Sequence, residues 1–430
     1  MEEIALNRNK YIYLPKYNQL INREIKDLFL KNSKKLKVED ISINEKVIKS
    51  RINKNLNQLI FEITQNCNLR CRYCVYSGVY LYKRNRSQKS LNFETSRKSL
   101  NYVYNLIKDR KEKNFVIGFY GGEPLLRFNT IKRITRYSRR LFDGWNLTFS
   151  LTTNGTLLSR EMINFFINNK FLIDISLDGP SINHDAKRIF RDGKGTFNCI
   201  ISNLVAIKNM DESYYYKNVQ FQAVHSWDLS LKKLFDFFVN NELVKRNNVL
   251  LTNVDLQNSD YYKRFPYDRK CLLEEFEIIN TIIKKKFINK EKLFPIELEF
   301  LAPYRVLFTD LNTRRFSIIF GACLFDSRLF LDSDGNYHIC EKINHKFPIG
   351  NVDNGLNYKK MVKMAKEFIN IFNTRCKNCD VKYLCRRCYA MFGKDGKFEI
   401  DDDYCRFSRN SIIKGLEDLI KNKEAGMNTY

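Results

Sequence analysis

The run Leu59-Ile60-Phe61-Glu62-Ile63-Thr64 is followed, after two residues, by Cys67-Asn68-Leu69-Arg70-Cys71-Arg72-Tyr73-Cys74. The apolar run predicts a buried strand, and the cysteines lie directly at its exit. Three thiols this close cannot all form one disulfide. A [4Fe–4S] cluster has four irons to ligate, so three thiolates would leave one iron open to a non-protein ligand. The alternative is a partial zinc site, but structural zinc sites are closed by four ligands, and no histidine lies nearby.

From residue 57 onward, short apolar runs alternate with helical patterns. The predicted strands are Leu59–Thr64, Phe115–Tyr120, Leu147–Thr153, Leu172–Leu177, Val219–Val224 and Val249–Val254. The predicted helices between them are Phe93–Lys108, Ile131–Leu141, Glu161–Asn168, Cys199–Asn209 and Ser230–Phe238. This alternation predicts an α/β fold of parallel βα units, arranged as a doubly wound sheet or as an incomplete barrel.

The distinctive residues follow the predicted strands. The first strand runs into the cysteine triplet, and the next three run into Gly121-Gly122-Glu123-Pro124-Leu125, Thr152-Thr153-Asn154-Gly155 and Ser176-Leu177-Asp178-Gly179-Pro180. In parallel α/β folds, binding and catalysis occur at the carboxyl ends of the strands. We therefore expect these four turns to form one site.

Length, charge and cysteine content restrict the class of protein. The chain has 430 residues, 12 cysteines and a formal net charge of +26. It exceeds the size of a single core, and it has neither a signal peptide at its N-terminus nor an apolar run long enough to span a membrane. We therefore expect a cytoplasmic protein without a membrane partner, in which cysteines serve metal or redox sites.

The positive charge has three interpretations. They are compositional drift toward lysine, an acidic peptide partner, and nucleic acid. The aromatic residues do not interleave with the charges in an RNA-binding motif, so nucleic acid is the least favoured partner.

A second group of cysteines occupies the C-terminal third of the chain. It consists of Cys323, Cys340, Cys376, Cys379, Cys385, Cys388 and Cys405. Seven cysteines exceed the needs of one metal site, and their spacing alone suits zinc ribbons as well as iron–sulfur clusters. Cys199 and Cys271 lie on helical patterns and are expected in the core. The four histidines, at positions 184, 225, 338 and 345, show no ligand spacing.

The cysteine triplet, the Gly-Gly-Glu-Pro turn and the Ser-Leu-Asp-Gly-Pro turn together resemble the radical S-adenosylmethionine superfamily, over residues 57–225. The resemblance implies an incomplete (β/α)6 barrel of the TIM type. It also implies a [4Fe–4S] cluster on Cys67, Cys71 and Cys74, with S-adenosylmethionine on the open iron. In that family the reduced cluster cleaves S-adenosylmethionine to a 5′-deoxyadenosyl radical, while the protein orients and shields the cofactors.

The resemblance further assigns six residues to the binding of S-adenosylmethionine. The backbone of Gly121 and Gly122 would lie against the ligand because glycine has no side chain. Glu123 would place a carboxylate near the methionine ammonium. Ser176 would be the polar residue at the ribose. Arg188 would be the arginine at the methionine carboxylate, and Tyr73 would be the aromatic ring along the adenine.

The C-terminal cysteines resemble the SPASM extension of peptide-modifying members, which holds auxiliary [4Fe–4S] clusters. The resemblance implies an inner cluster on Cys323, Cys340 and Cys388 and an outer cluster on Cys376, Cys379, Cys385 and Cys405, which makes three clusters in the chain.

This chain departs from the SPASM pattern in two places. Ser317 stands where full members carry a further cysteine, and the last cysteine pair, Cys385 and Cys388, has a gap of two residues where three is usual. The first departure suggests an open iron in the inner cluster that binds a substrate thiolate. A non-cysteine protein ligand or water is the alternative.

The same resemblance suggests a catalytic base and a function. Glu341 follows Cys340, where related anaerobic sulfatase maturases carry an acid that removes a substrate proton; a surface glutamate is the alternative. The stretch Cys74-Val75-Tyr76-Ser77-Gly78 looks most like maturases of ribosomally made cysteine-rich peptides, which join cysteine sulfur to carbon as thioethers.

We therefore expect a precursor peptide as substrate, with an acidic leader, and an external reductant of the flavodoxin or ferredoxin type. The alternatives are formylglycine formation in sulfatases, carbon–carbon cyclisation of a peptide, and a non-catalytic iron–sulfur or zinc protein that binds RNA.

The predicted domain organisation follows from these motifs. Residues 1–56 form an N-terminal extension, a candidate peptide-docking segment with a strand at Tyr11–Leu14 and helical spacing from Ile21 to Asn32. The remaining regions are the core at 57–255, a connecting helical region at 256–310, the auxiliary-cluster domain at 311–410 and a C-terminal helix at 411–430.

Overall fold

The chain begins with a small antiparallel sheet. The computed structural model describes residues 3–35, 37–39, 42–78, 80–81, 83–254, 259–312, 315–317, 325–385, 388–424 and 426. Its first strands, β1 (Ile4–Leu6), β2 (Tyr11–Leu14) and β3 (Gln19–Asn22), pair in the order β1-β2-β3. A 3-10 turn (Arg23–Ile25), α1 (Lys26–Asn32), β4 (Lys37–Glu39) and α2 (Glu45–Asn55) follow.

The helix predicted from Ile21 begins only at Lys26. Ile21 instead lies in β3, where it pairs with Ile12 and is buried beside Leu14. The apolar contact across the two strands therefore outweighs the helical spacing of the sequence.

Parallel strands form the centre of the molecule. They are β5 (Gln58–Thr64), β6 (Asn114–Gly121), β7 (Asn146–Thr153), β8 (Leu172–Ser176), β9 (Val219–His225) and β10 (Val249–Asn253). Each pairs in parallel with the next along the chain. All six were predicted, and their apolar runs are explained by burial on both faces of the sheet.

Helices connect these strands and cover the sheet. They are α3 (Phe93–Ile107), α4 (Phe128–Leu141), α5 (Arg160–Asn168), α6 (Ser181–Lys187), α7 (Phe197–Met210), α8 (Glu212–Asn218) and α9 (Leu231–Asn240), with a 3-10 turn at Pro124–Arg127. Several begin at a side-chain cap; Asn92, Ser159 and Ser230 each accept a hydrogen bond from a backbone amide in the first turn. Stacked rings of Phe119, Phe149 and Phe171 lie in the core between the layers.

A helical connection follows the last parallel strand. It consists of α10 (Tyr261–Arg264), α11 (Arg269–Ile288) and α12 (Pro295–Asn312). Cys271 is exposed on α11, so its prediction as a core residue was wrong. Cys271 does lie on a helix, as predicted, but on the face of that helix that is exposed to solvent.

The cysteine-rich region adds to the same sheet. Its elements are β11 (Arg315–Ser317), β12 (Arg328–Leu331), β13 (Asn336–His338), β14 (Gly350–Asn351), β15 (Gly355–Leu356), α13 (Tyr358–Arg375), α14 (Tyr389–Phe392), β16 (Gly393–Lys394), β17 (Lys397–Phe398) and α15 (Asp402–Glu424). Because β12 pairs in parallel with β5, the sheet runs β10-β9-β8-β7-β6-β5-β12-β13-β14-β15. This pairing places the hairpin of β12 and β13 beside the strand that carries the cysteine triplet.

No helix among the described residues has the length and apolar character needed to cross a bilayer.

Candidate active site

The loop after β5 brings Cys67, Cys71 and Cys74 together. All three are partly buried, and the backbone turns between the last two, since the Cys74 amide donates to the Cys71 carbonyl at 3.2 Å. Burial, together with the charges of neighbouring thiols, raises the pKa of Cys67 to about 11 and that of Cys71 to about 12. Three cysteines on one loop are a donor set that an iron cluster can stabilise as thiolates.

Polar donors surround these sulfurs. Nδ2 of Asn154 and Nη1 of Arg188 lie 3.9 Å from Sγ of Cys67 and Cys71, respectively. The Leu69 amide donates to Sγ of Cys67 at 3.4 Å. Hydrogen bonds to cluster sulfurs are one means by which proteins tune iron–sulfur centres, so the residues of this loop fit a cluster.

The two glycines after β6 allow that turn to lie against the cysteine loop. An added Cβ would lie 2.3 Å from the Thr64 carbonyl oxygen at Gly121 and 2.1 Å from the Asn66 carbonyl oxygen at Gly122. Gly121 also has a φ of +138°, which L-residues rarely adopt. The glycines are thus required by contact with the backbone of the first turn. Their predicted contact with S-adenosylmethionine stays a prediction.

Glu123 is fully buried and bound to the next turn. Its carboxylate accepts hydrogen bonds from the amides of Leu125 and Asn154, at 3.0 and 2.8 Å, and from the Thr153 hydroxyl at 2.7 Å. Burial raises its pKa to about 6, against these hydrogen bonds, which lower it. The side chain therefore joins the ends of β6 and β7.

Asp178 organises the other half of the site, although sequence reasoning did not single it out. Its carboxylate accepts hydrogen bonds from the Tyr73 hydroxyl, from Nε of Arg188 at 2.9 Å and from the Val224 amide at 2.9 Å. The Arg188 guanidinium also lies 5.3 Å from the centre of the Tyr73 ring. Tyr73 and Arg188 are thus held together at the strand ends, where half-buried Ser176 also lies.

His184 is buried in this half of the site and fully engaged. Its Nδ1 accepts from the Asp178 amide at 3.2 Å, and its Nε2 lies 2.8 Å from the Thr196 hydroxyl. Burial lowers its pKa to about 4. These contacts hold the turn after β8 against Thr196 and give His184 a structural role.

The C-terminal cysteines influence one another electrostatically. Burial raises the pKa of Cys405, and the charges of Cys385 and Cys379 raise it as well. Burial likewise raises the pKa of Cys340 to about 12, with contributions from Glu341 and Cys388. Because, after burial, Cys385, Cys388 and Cys405 all raise the pKa of Tyr404, the division into an outer and an inner set stays a prediction. Cys323 lies outside the described residues, and Cys376 caps the end of α13.

Glu341 directly follows Cys340 in the turn after β13. Its side chain is 12% exposed, and both of its oxygens lie 3.4 Å from Nη1 of Arg328. Burial raises the pKa of Tyr120, and the next contributions come from the charges of Glu341 and Cys74. Tyr120 directly precedes the Gly121-Gly122 turn. The role of Glu341 as a base stays a prediction.

Comparisons with known proteins show that this chain is similar to radical SAM enzymes. A family model described as the Radical SAM superfamily matches residues 61–211. The cysteine-type anaerobic sulfatase-maturating enzyme of Clostridium novyi (strain NT) is 27% identical over 355 residues, which cover 77% of this chain and 87% of that enzyme. The radical SAM cyclopropyl synthase TigE of Paramaledivibacter caminithermalis is 25% identical over 289 residues, which cover 64% of this chain and 56% of that enzyme.

A solved structure, native anSMEcpe with bound AdoMet and Cp18Cys peptide, is similar in fold. It has a TM-score of 0.63 and 21% sequence identity, and the match covers 86% of this chain and 99% of that one. The predicted α/β barrel with a cysteine-rich C-terminal region is thereby confirmed. That structure contains bound AdoMet, and S-adenosylmethionine with [4Fe–4S] clusters is what the sequence of this chain predicts. Residues 61–211 of this chain are therefore similar to the Radical SAM superfamily.

Proposed function

We propose that this protein oxidises a cysteine or serine side chain in a peptide or protein, as a sulfatase-maturating type of enzyme. The similarity to the sulfatase-maturating enzyme of Clostridium novyi, over 77% of this chain, supports this substrate class. Glu341 carries the proposal, because it is a largely buried carboxylate that directly follows Cys340 and forms an ion pair with Arg328.

In this proposal each group of residues has a separate task. When bound, S-adenosylmethionine and its cluster would supply radical chemistry at a substrate carbon, and an auxiliary cluster would supply electron transfer. Cys67, Cys71 and Cys74 hold the first cluster. Asp178 orients Arg188 and Tyr73 at the cofactor. Glu341 takes the proton of the substrate thiol or hydroxyl, at Oε1 or Oε2.

Arg328 positions the base. It lies 3.4 Å from both Glu341 oxygens, and its side chain is 41% exposed. This ion pair would hold the Glu341 carboxylate in one orientation, and we assign Arg328 as a positioning residue.

A thioether-forming maturase is the second candidate. The observation that favours it is Ser317, which stands where full SPASM members carry a cysteine. An inner cluster that lacks one cysteine ligand would have an iron open to a substrate thiolate, which is a soft ligand. In that case the substrate is a cysteine-rich precursor peptide.

The partners follow from the same proposal. The reaction needs an external one-electron reductant, which we assign to the flavodoxin or ferredoxin type. The N-terminal β1-β2-β3 sheet is a candidate docking segment for the substrate, and the net charge of +26 suits an acidic peptide.

Anaerobic assays with matched peptides separate the two candidates. The peptides carry cysteine, serine or alanine at one position, and mass spectrometry with a hydrazide probe reads the product. Sulfatase-type oxidation exchanges the cysteine sulfur for oxygen with loss of two hydrogens, and the product reacts with the hydrazide. Thioether formation also removes two hydrogens, but it keeps the sulfur and gives no aldehyde. An unmodified peptide in the presence of 5′-deoxyadenosine formation would contradict both candidates.

Replacement of the base tests the role of Glu341. We expect Glu341→Gln to lower peptide oxidation by about 10²–10⁴-fold, the usual contribution of a positioned acid or base. Cleavage of S-adenosylmethionine should continue because the first cluster is untouched. Glu399→Gln is the matched control, since Glu399 also forms a 3.4 Å ion pair in the same region but is more exposed. Equal peptide oxidation by the two variants would remove Glu341 from the mechanism.

A further inference from the structure

Asp332, His338 and His345 form a buried cluster beside β5. The three residues are separated along the chain, and the hairpin of β12 and β13 and the turn after Cys340 bring them together. One donor atom from each lies within 4.8 Å of the other two. Oδ2 of Asp332 lies 2.9 Å from Nε2 of His338 and 3.7 Å from Nδ1 of His345.

A simple hydrogen bond explains only half of this arrangement. It accounts for Asp332 and His338, whose atoms are at hydrogen-bond distance. Nδ1 of His345 is too far from the same oxygen for a hydrogen bond. An ion between the two rings and Asp332 would bind Nε2 of His338 and Nδ1 of His345, which are the ring nitrogens that approach Oδ2. The other nitrogen of each ring, Nδ1 of His338 and Nε2 of His345, is buried and has no hydrogen-bond partner among the described residues.

The carboxylate of Asp332 is held rigidly. Oδ1 accepts from the amides of Asp334 and Asn336, at 3.0 and 2.8 Å. Oδ2 accepts from the Asn336 side chain at 3.2 Å. Outer hydrogen bonds of this kind orient metal ligands, and Oδ2 has a second lone pair directed to the two imidazoles.

The charges around the cluster favour a cation. Arg84 forms an ion pair with buried Glu62, and Lys89 forms one with Asp334 at 2.8 Å. Both neighbouring cations are thus paired with carboxylates other than Asp332. Glu62 also accepts from the Ser333 amide at 3.0 Å, which fixes the hairpin against β5.

We propose that Asp332, His338 and His345 bind one Zn²⁺ ion, with a fourth position open to water. Two imidazoles and one carboxylate are a common zinc donor set. Tetrahedral zinc with bonds of about 2.0–2.1 Å places its donor atoms about 3.3–3.4 Å apart. The distances from Oδ2 of Asp332 to Nε2 of His338, 2.9 Å, and to Nδ1 of His345, 3.7 Å, lie on either side of that value. Zinc also binds such donors more tightly than ferrous iron does.

The ion would fix the segment that carries Cys340 and Glu341. His338 ends β13 immediately before this segment, and His345 follows it. The site is separate from the cysteine sites, so its presence does not depend on the proposed function.

X-ray absorption at the zinc edge tests the site in the holoprotein, with its iron–sulfur clusters assembled and one equivalent of Zn²⁺ added. We expect a first shell of nitrogen and oxygen at about 2.0 Å, with imidazole scattering beyond it. Failure to retain zinc, or a shell of sulfur at about 2.3 Å from the cysteines, would overturn the proposal.

Matched variants locate the ion. His345→Ala and Asp332→Asn should each weaken Zn²⁺ binding about 100-fold or more, since loss of outer-shell groups alone costs 10–100-fold. Asp334→Asn is the control, because Asp334 is the neighbouring exposed carboxylate outside the cluster, and it should retain zinc. Unchanged zinc affinity in a folded His345→Ala protein would overturn the assignment. If that variant does not fold, the wild-type absorption spectrum still decides.

Discussion

Gly122 shows at the residue scale why the sequence of the second turn is restricted. A methyl group there would lie 2.1 Å from the Asn66 carbonyl oxygen, and backbone cannot move as a side chain can. We expect Gly122→Ala to lower the free energy of unfolding by about 1–3 kcal/mol, as overpacking does. Chemical denaturation measures this.

Gly415→Ala is the control for that prediction. Gly415 lies within α15, and its added Cβ would contact only the end of the Leu307 side chain, at 3.3 Å. Alanine also has the higher helix propensity by about 1 kcal/mol. The expected change is therefore small, and a larger loss in Gly415→Ala than in Gly122→Ala would contradict the packing argument.

Glu123 gives a residue-scale prediction about pH. Its folded pKa of about 6 lies above the value of 4.5 for the free group. Between these values the folded chain retains a proton that the unfolded chain has lost, so stability falls as pH rises through this window. The loss is about 2 kcal/mol for this shift. Glu123→Gln should flatten that part of the curve in pH-dependent denaturation; an identical curve would show that other groups cause it.

The spacing of residues in the sequence predicted those site residues that act together within one short segment of the chain. Cys67, Cys71 and Cys74 share one loop, so their proximity followed from their positions alone. The role of Asp178 did not, because its three partners come from distant parts of the chain. The cluster of His338 and His345 was missed for the same reason, since a turn rather than a regular spacing brings the two rings together.

At the scale of elements, the parallel strands were predicted because burial on both faces gives continuous apolar runs. The pairing of β12 with β5 was not predicted, since β12 is short and lies far from β5 in the sequence. Ile21 failed as a helical residue because its neighbours in space are strand residues.

An ion pair joins the outer cysteine loop to α15. Buried Asp380, next to Cys379, accepts hydrogen bonds from Nε and Nη2 of Arg409. We expect Asp380→Asn to destabilise the protein by about 1–3 kcal/mol, because a buried charged hydrogen bond is lost. Thermal unfolding and iron content measure the effect on the loop.

An exposed ion pair on the same helix is the control. Arg406 and Asp403 are both largely exposed, so Arg406→Gln should change stability by less than about 1 kcal/mol. If the two variants lose equal stability and iron, the buried pair has no special role in holding the loop.

At the scale of the whole molecule, charge gives a prediction about the substrate. If the net charge of +26 serves an acidic peptide, binding should weaken as salt is added, because ions screen exposed charges. Titration at several salt concentrations, by fluorescence anisotropy, measures this. The same peptide with its acidic residues neutralised is the control, and equal salt dependence for both peptides would count against an acidic leader.

The sheet joins the parallel strands and the cysteine-rich region into one continuous structure, in which β12 lies beside the strand that leads into the cysteine triplet. The central claim is that this triplet generates a radical from S-adenosylmethionine. The most direct test is the formation of 5′-deoxyadenosine by the reduced, anaerobically reconstituted protein, compared with Cys71→Ala. We predict formation by the wild type and loss of the product in the variant. No product from wild type containing its clusters, or an equal yield from Cys71→Ala, would contradict the claim.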